Sequence, residues 1–270
     1  MLHFAVNVSM LWRDIPFVER FQQAKDAGFD TVEFLWPRGE NLDEVVSAIK
    51  GLGLRVALHN MDSGDMPKGE RGYANDPARK AEWREMLQAA VEFSRRVDCT
   101  RINCLAGNDL GALPREAQFN VVDENYRWAL PIAAASGITL CVEPLNTFDT
   151  PRYLWPRTAD GLAFLQRIAS PWARLQYDVY HMQRMEGRMA ETIRQHAPLM
   201  AHIQIADDPG RHEPGTGQIG WREVFGAIEQ SGYHGYVGLE YLARATPEES
   251  FRWLPAGRRS ECAAAELNLP

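Results

Sequence analysis

Eight short apolar segments, each followed by a stretch with helical spacing, most limit the folds open to this chain. The segments occupy residues 2–9, 31–36, 55–60, 101–105, 139–143, 174–180, 200–206 and 236–241. The helical stretches occupy residues 15–27, 41–51, 76–97, 114–137, 158–168, 189–196, 221–230 and 246–254. Strands that alternate with helices predict an α/β fold with a parallel sheet, and eight such units predict a (β/α)8 TIM barrel.

The predicted barrel is a single domain over residues 1–254, and residues 255–270 are expected to be a C-terminal tail or a frayed helix. A doubly wound open sheet is the alternative. It is disfavoured because no GxGxxG turn directly follows a predicted strand and no GxxxxGK[ST] turn occurs. No proline- or serine-rich linker divides the 270 residues, of which 45% are hydrophobic, so one large core is expected.

The net charge and the absence of recognisable targeting segments limit which molecules this protein is expected to bind. The formal net charge is −7, which disfavours nucleic acid and anionic membranes as primary partners. Neither a signal peptide nor an apolar run of membrane-spanning length is recognisable, so a cytoplasmic enzyme of small molecules is expected. The four cysteines lack CxxC spacing and predict neither disulfides nor a zinc knuckle. A homo-oligomer is compatible with this sequence.

Four of the predicted strands carry an oxygen-bearing side chain at or near their C-terminal ends: Glu143, Asp178, Gln204 and Glu240. These positions are spaced by about one βα unit, so the side chains should converge at the C-terminal face of the barrel, where active sites of this fold lie. An unpartnered buried carboxylate costs several kcal/mol. We therefore expect a cationic side chain, a metal ion or a proton at this face.

Three carboxylates and one amide oxygen form a hard ligand set that suits Mg²⁺ or Mn²⁺ better than Zn²⁺. A divalent ion beside a carboxylate base favours proton transfer next to a carbonyl, which indicates isomerisation or epimerisation. A metal-dependent hydrolase or nuclease is the second interpretation. A catalytically silent binding barrel is the third.

The sequence also resembles the hydroxypyruvate isomerase family, within the xylose-isomerase-like TIM barrels, from about Met1 to Trp253. The motifs that carry the resemblance include Asn7–Leu11, Val32–Phe34, Leu58–Asn60, Gly69–Gly72, Ile102–Leu105, Glu143–Asn146, Gln176–Gly187, His202–Asp207 and Glu213–Gly217.

The resemblance implies an activity and roles for single residues. It implies interconversion of hydroxypyruvate and 2-hydroxy-3-oxopropanoate (tartronate semialdehyde) through an enediolate, with a 2-oxotetronate isomerase or a ketose 3-epimerase as alternatives. By this resemblance Glu143, Asp178, Gln204 and Glu240 are metal ligands, and Glu143 and Glu240 are also the acid/base pair. His181 matches a substrate contact of related epimerases.

Further substrate contacts are predicted from their place in the chain. Arg71 and Arg211 lie in glycine-containing loops after the third and seventh strands, where either could bind a substrate carboxylate. His59 ends the third strand and is predicted to contact substrate. His202 points inward one position deeper than Gln204, where filling the barrel or bracing the ligand set is expected rather than direct contact with the metal.

Overall fold

The computed structural model describes residues 1–269 and shows a closed barrel of eight parallel strands. The strands are β1 (Leu2–Asn7), β2 (Thr31–Phe34), β3 (Arg55–Asn60), β4 (Arg101–Asn103), β5 (Thr139–Val142), β6 (Ala173–Asp178), β7 (Met200–Ile205) and β8 (Tyr236–Leu239). Consecutive strands pair in chain order, and β1 closes the barrel by pairing with both β8 and β2. The predicted TIM barrel is confirmed.

Helices follow the strands and surround the barrel. They are α1 (Arg20–Asp26), α2 (Leu42–Gly51), α3 (Lys80–Arg96), α4 (Arg115–Ala135), α5 (Thr158–Ile168), α6 (Val179–Met185), α7 (Met189–His196) and α8 (Trp221–Gln230). The core lies between the strands and these helices, where side chains such as Phe4, Leu175 and Phe225 are fully buried. Burial of this apolar surface is the main favourable term in folding.

The inside of the barrel is polar at its C-terminal end, as the alternation of side chains predicts. Gln176 of β6 and Gln204 of β7 meet there, with 2.6 Å between Nε2 and Oε1. Their strand neighbours Leu175 and Ile203 belong to the core outside the barrel. The alternation along parallel strands therefore gathers the polar side chains at one end of the interior.

Strand β6 is shorter than predicted. It ends at Asp178, whose Oδ1 accepts a hydrogen bond of 2.8 Å from the backbone N–H of Tyr180 and so caps α6. Aspartate is a favoured residue at this position because its side chain satisfies a free N–H of the first turn. Val179 and Tyr180 therefore begin a helix that the sequence analysis did not anticipate.

The helix predicted over residues 246–254 is wrong. Only a 3₁₀ turn, Glu249–Phe251, is present there. Phe251, Trp253 and Leu254 are all buried, and residues two apart point about 200° from each other around an α-helix. One helical face could not bury this set, whereas a short turn can.

Residues 255–269, predicted as a tail, pack against the barrel. A short strand β9 (Glu261–Cys262) pairs antiparallel with Leu2 and His3 of β1. The pairing of β2 with β1 begins only at Val6, so β9 covers an edge that would otherwise lack partners. Leu267 and Leu269 are buried, and Pro270 lies outside the described residues.

Candidate active site

Three carboxylates meet at the C-terminal face of the barrel. Glu143 directly follows β5, Asp178 ends β6 and Glu240 directly follows β8, and all three are buried. One ligand atom from each, together with one from His181, lies within 4.8 Å of the others. Like charges this close are unfavourable without a cation, so this group could hold a metal ion.

Glu143 is held from two sides. Its Oε2 accepts a hydrogen bond of 2.6 Å from Nδ2 of Asn103 at the end of β4. Its backbone carbonyl accepts hydrogen bonds from the Tyr153 hydroxyl at 3.0 Å and from Nε1 of Trp155 at 3.1 Å. Burial, and then the nearby Asp178, raise the pKa of Glu143 to about 8. The loop with Tyr153 and Trp155 thus fixes the end of β5.

Asp178 divides its two oxygens between two tasks. Oδ1 caps α6, and the buried Oδ2 has no hydrogen-bond partner within residues 1–269. The atoms near Oδ2 are Nε2 of His181 at 3.5 Å and Nη2 of Arg211 at 3.6 Å. A buried carboxylate oxygen without a partner is costly, so this atom is available to a metal ion.

Arg211 faces the carboxylates from the loop after β7. Its Nη2 donates a hydrogen bond to Oε2 of Glu240. Its backbone φ is 56°, in the left-handed region, and its carbonyl accepts a hydrogen bond of 2.9 Å from the N–H of Leu242. Burial lowers the pKa of Arg211. The charges of Glu240, Asp178 and Glu143 together raise the pKa by more than burial lowers it, so the net shift is upward. Arg211 therefore stays charged against the carboxylates.

Opposing electrostatic effects act on the pKa of Glu240. Burial raises its pKa, Arg211 lowers it, and the charges of Asp178 and Glu143 raise it again, so the net pKa lies well above the usual value. A single guanidinium thus compensates only part of the negative charge at this face.

The hydrogen bonds of His181 fix its tautomer. Asn146 Oδ1 accepts from the N–H groups of Phe148 and Asp149, so its Nδ2 is the atom that points to Nδ1 of His181 at 2.6 Å. The backbone N–H of Asn146 donates to the same Nδ1 at 3.2 Å. Nδ1 is therefore an acceptor and Nε2 carries the proton. Burial lowers the pKa of His181 to about 4, so the ring is neutral.

This tautomer bears on the role of His181. A metal ligand must offer a lone pair, and the free lone pair of His181 is already used by Asn146. The Nε2–H instead points toward Oδ2 of Asp178. His181 is thus better suited to donate a hydrogen bond than to bind a metal ion, and its contact with substrate stays a prediction.

Gln204 lies beside Asp178 on the neighbouring strand, in direct register with it. Its Oε1 accepts from Nε2 of Gln176 at 2.6 Å, and its Nε2 donates to Oε1 of Glu33 at 2.8 Å. The side chain of Gln176 in turn lies next to Glu143. The amide oxygen of Gln204 therefore faces Gln176, on the side of the barrel where Glu143 lies.

A cavity of about 150 Å³ joins these residues to Arg71, and its lining includes Glu143, His181, Arg211 and Glu240. Nη1 of Arg71 donates to the backbone carbonyls of Met66 at 2.9 Å and Glu70 at 2.6 Å. Within the described part of the chain, no carboxylate forms an ion pair with Arg71. Burial, and then the charge of Arg211, lower the pKa of Arg71.

The substrate contact predicted for His59 does not fit the structure. The ring is fully buried outside the barrel, where it stacks on Phe34 with 6.0 Å between centroids. Nδ1 lies 2.9 Å from the carbonyl of Asn60, and Nε2 lies 2.7 Å from Oγ of Ser94 on α3. Both nitrogens are satisfied by the protein, so His59 joins a strand to a helix.

Comparison with known proteins agrees with this geometry. A family model described as xylose isomerase-like TIM barrel matches residues 21–257. The chain belongs to this family. Hydroxypyruvate isomerase of Escherichia coli (strain K12) is 38% identical over 94% of this chain and 98% of its own. The 2-oxo-tetronate isomerase of Cupriavidus necator is 35% identical over the same shares.

A solved structure also covers nearly the whole chain. The AP endonuclease, family 2, of Brucella melitensis superposes with a TM-score of 0.90 at 36% identity and covers 94% of this chain and 98% of that one. The predicted resemblance to hydroxypyruvate isomerases is confirmed by the curated relatives. Within residues 1–269 of this xylose isomerase-like barrel, no helix is long and apolar enough to cross a bilayer.

Three polar residues that organise this xylose isomerase-like site were not predicted from the sequence. Asn103 holds Glu143, Asn146 sets the tautomer of His181, and Glu33 holds Gln204. A signal was present for Asn103 and Glu33, because both are polar residues in otherwise apolar strands. Asn146 follows β5 in a loop, and its partner is 35 residues away.

The raised pKa of Glu143 predicts that metal-free protein loses stability as the pH rises from 6.5 to 8. In this range folded Glu143 retains a proton that the unfolded chain has released, since its pKa moves from 4.5 to about 8 on folding. Each retained proton contributes a slope of about 1.4 kcal/mol per pH unit. Guanidinium unfolding midpoints of chelator-treated protein at several pH values measure the slope.

Two histidines set the lower limit of that range. The pKa of His59 and of His181 falls from 6.5 to about 4 on folding, so both residues add stability as the pH rises. They oppose the Glu143 slope near pH 6.5, where the unfolded chain still holds about half of these protons, and their effect is complete about one pH unit higher. The control is Glu143→Gln, which should give a shallower slope between pH 6.5 and 8. A parent protein whose stability rises over this range would contradict the assignment.

Proposed function

We propose that the protein interconverts hydroxypyruvate and 2-hydroxy-3-oxopropanoate by proton transfer at this site. The proposal is carried by one cavity, which brings Glu143 and Glu240 together with Arg71, a guanidinium that has no carboxylate partner among the described residues. At about 150 Å³ it is smaller than the ~300–1,000 Å³ of drug-sized ligand pockets. A three-carbon 2-oxo acid suits that size.

We further propose that Glu143, Asp178, Gln204 and Glu240 hold a divalent ion, Mg²⁺ or Mn²⁺. The residues fit such an ion because their donor atoms are all oxygens and because Oδ2 of Asp178 is buried without a hydrogen bond among residues 1–269. When bound, the ion would supply Lewis-acid polarisation of the substrate's carbonyl.

Glu143 and Glu240 are the proposed acid/base pair. In the forward reaction C3 of hydroxypyruvate loses a proton and C2 gains one, while the O3 hydroxyl loses its proton and O2 gains one, so atoms and electrons balance. The raised pKa of Glu143, about 8, lets this carboxyl hold or release a proton near neutral pH, which is the property of an effective general acid or base. The Nε2–H of His181 is placed to donate to a substrate oxygen.

Arg71 is the better candidate of the two arginines for the substrate carboxylate. Arg211 is already committed to Glu240 and lies 3.6 Å from Asp178, whereas Arg71 contacts backbone carbonyls only. The two guanidinium groups also repel each other. The pKa of Arg71 is lowered first by burial and then by the charge of Arg211. An anion between them would relieve that repulsion, and the planar guanidinium suits a carboxylate.

We expect Arg71→Leu to reduce kcat/KM for hydroxypyruvate by about 30-fold, because a hydrogen bond to a charged group contributes ~2 kcal/mol. The loss should be much smaller for an uncharged ketose. Arg152→Leu is the matched control. Arg152 lines a neighbouring pocket together with Arg71, but it does not line the 150 Å³ cavity that contains Glu143 and Glu240. Equal losses for both substrates, or equal losses in both variants, would refute carboxylate recognition by Arg71.

A 2-oxotetronate isomerase is the second candidate, favoured by the Cupriavidus relative. This substrate has one more carbon and the same carboxylate, so Arg71 would serve both acids. Comparing kcat/KM for hydroxypyruvate and 2-oxotetronate decides between them, and we expect hydroxypyruvate to be preferred. A preference for the four-carbon acid would move the assignment to the second candidate.

A nuclease is the candidate from another class, favoured by the likeness to the AP endonuclease of Brucella melitensis. The net charge of −7 opposes DNA binding, and within residues 1–269 the candidate metal group contains a single histidine. Incubation of a duplex containing an abasic site with the protein and Mn²⁺ tests it. We expect no strand cleavage, and cleavage as fast as sugar-acid turnover would favour the nuclease.

A further inference from the structure

Glu33 is a buried carboxylate inside the barrel that the reaction itself does not use. Its side chain is fully buried on β2 and contacts three polar side chains. Oε1 accepts from Nδ2 of Asn7 at 3.0 Å and from Nε2 of Gln204 at 2.8 Å. Oε2 lies 2.5 Å from Nε2 of His202.

This arrangement is costly for the fold. Within residues 1–269 no lysine or arginine pairs with Glu33, and its Oε2 faces the ring of His202 at 2.5 Å. Even with such a partner, a buried carboxylate is often no more favourable than an apolar side chain of the same size. The backbone is shaped to admit it: a Cβ added to Gly238 on β8 would lie 2.0 Å from Oε2 of Glu33. Glycine at this position therefore leaves space for the carboxylate.

The carboxylate decides which way the amide of Gln204 points. Oε1 of Glu33 accepts from Nδ2 of Asn7, so it also accepts from Gln204 and selects the Nε2 end of that amide. The Oε1 end then faces Nε2 of Gln176, which donates to it at 2.6 Å. A reversed amide would place oxygen against the carboxylate of Glu33 and N–H against the N–H of Gln176. Both contacts would be repulsive.

The partner residues hold Glu33 itself in place. Oδ1 of Asn7 accepts from the N–H groups of Ser9 at 3.0 Å and Met10 at 3.2 Å, so its Nδ2 is the end that faces Glu33. His202 approaches the other oxygen, and its Nδ1 has no hydrogen-bond partner among the described residues. Asn7 on β1 thus fixes the side chain of Glu33 on β2, and Glu33 in turn fixes the amide of Gln204 on β7.

We propose that Glu33 is a positioning residue that keeps the Oε1 of Gln204 turned away from β2, toward Gln176 and the proposed metal ligands. The inference rests on the proposed function, because it takes Gln204 as a ligand. A carbonyl oxygen has two lone pairs, one of which accepts from Gln176 while the other remains for the ion. Hydrogen bonds of this kind orient metal ligands in many proteins.

Mn²⁺ binding by electron paramagnetic resonance tests the proposal without any assay of turnover. We expect Glu33→Leu to weaken Mn²⁺ binding by ~10- to 100-fold, the usual loss when a residue that orients a ligand is removed. Glu33→Gln is the matched variant, because it keeps one acceptor oxygen for Gln204 and Asn7. The new amide faces Nε2 of His202, a ring nitrogen that accepts in one of its tautomers, and we expect binding within about threefold of the parent.

A double-mutant cycle separates positioning from general destabilisation. Gln204→Leu should weaken Mn²⁺ binding by itself, and adding Glu33→Leu to it should cause little further loss, because the residue being positioned is gone. Equal losses in both backgrounds would overturn the proposal. So would parent-like Mn²⁺ binding by folded Glu33→Leu, or by Gln204→Leu.

Two further outcomes are distinguishable. If Glu33→Leu does not fold, Glu33→Asp replaces it, since it keeps the charge and withdraws the carboxylate by one methylene. Binding at least about fivefold weaker then supports the proposal, and parent-like binding overturns it. A parent protein that binds no Mn²⁺ overturns the metal site and this inference together, whereas normal binding by Glu33→Leu overturns this inference alone.

Discussion

Glu143→Gln and Glu240→Gln are each expected to lower kcat by about 10²–10⁴-fold, the usual contribution of a positioned general acid or base. Each substitution keeps the size of the side chain and one carbonyl oxygen but removes the group that accepts the proton. Glu143 is the sharper case, because Asn103 and the carbonyl contacts of Tyr153 and Trp155 fix its position and leave the proton as the main difference.

The control separates loss of the base from loss of the metal. Metal content of each variant must be measured, since both residues are also proposed ligands. Glu85→Gln, an exposed change on α3, should leave kcat unchanged. If both active-site variants bind metal normally and turn over within a few-fold of the parent, the acid/base assignment is wrong.

Removal of divalent metal is expected to abolish turnover, and Mg²⁺ or Mn²⁺ should restore it. Three buried carboxylates face one another, and their ligand atoms and one nitrogen of His181 lie within 4.8 Å of each other. Arg211 is the guanidinium that contacts them among residues 1–269, and its charge compensates only part of theirs. A divalent ion would balance the site and hold the negative charge that develops on the substrate. Dialysis against chelator, then titration with each metal, measures the requirement.

Metal preference gives this experiment a second readout. The proposed ligands are all oxygens, so Mg²⁺ and Mn²⁺ should restore more activity than Zn²⁺. Full activity in thoroughly metal-stripped protein would contradict the metal assignment. Restoration by Zn²⁺ alone would contradict the oxygen-only ligand set and would point to His181 as a ligand.

The barrel was predictable from sequence because each strand is an apolar run bounded by clear turn signals. The errors arose where tertiary contacts override local pattern. Asp178 ends β6 early because it caps α6, and residues 246–254 form a short turn because Phe251 and Trp253 must both be buried. The partner of β9 is the opposite end of the chain, and no local pattern specifies such a contact.

The candidate site was predictable to the extent that strand ends specify it. Glu143, Asp178 and Glu240 meet because parallel strands of a barrel end at one face. His59 lies one residue before the end of β3 at the same face, yet its side chain points outward to Ser94, because successive side chains of a strand point to opposite faces. Asn146 was missed because its role depends on a histidine that is distant in sequence.

Proton NMR of hydroxypyruvate in D₂O, with the enzyme and Mg²⁺, tests the central claim most directly. Proton transfer through a carboxylate that exchanges with solvent predicts 2-hydroxy-3-oxopropanoate carrying deuterium at C2, together with exchange of the C3 hydrogens of the substrate. The Glu143→Gln/Glu240→Gln double variant reports the uncatalysed background. Absence of both product and C3 exchange with the parent enzyme, or product whose C2 carries only the hydrogen from C3, would contradict the account.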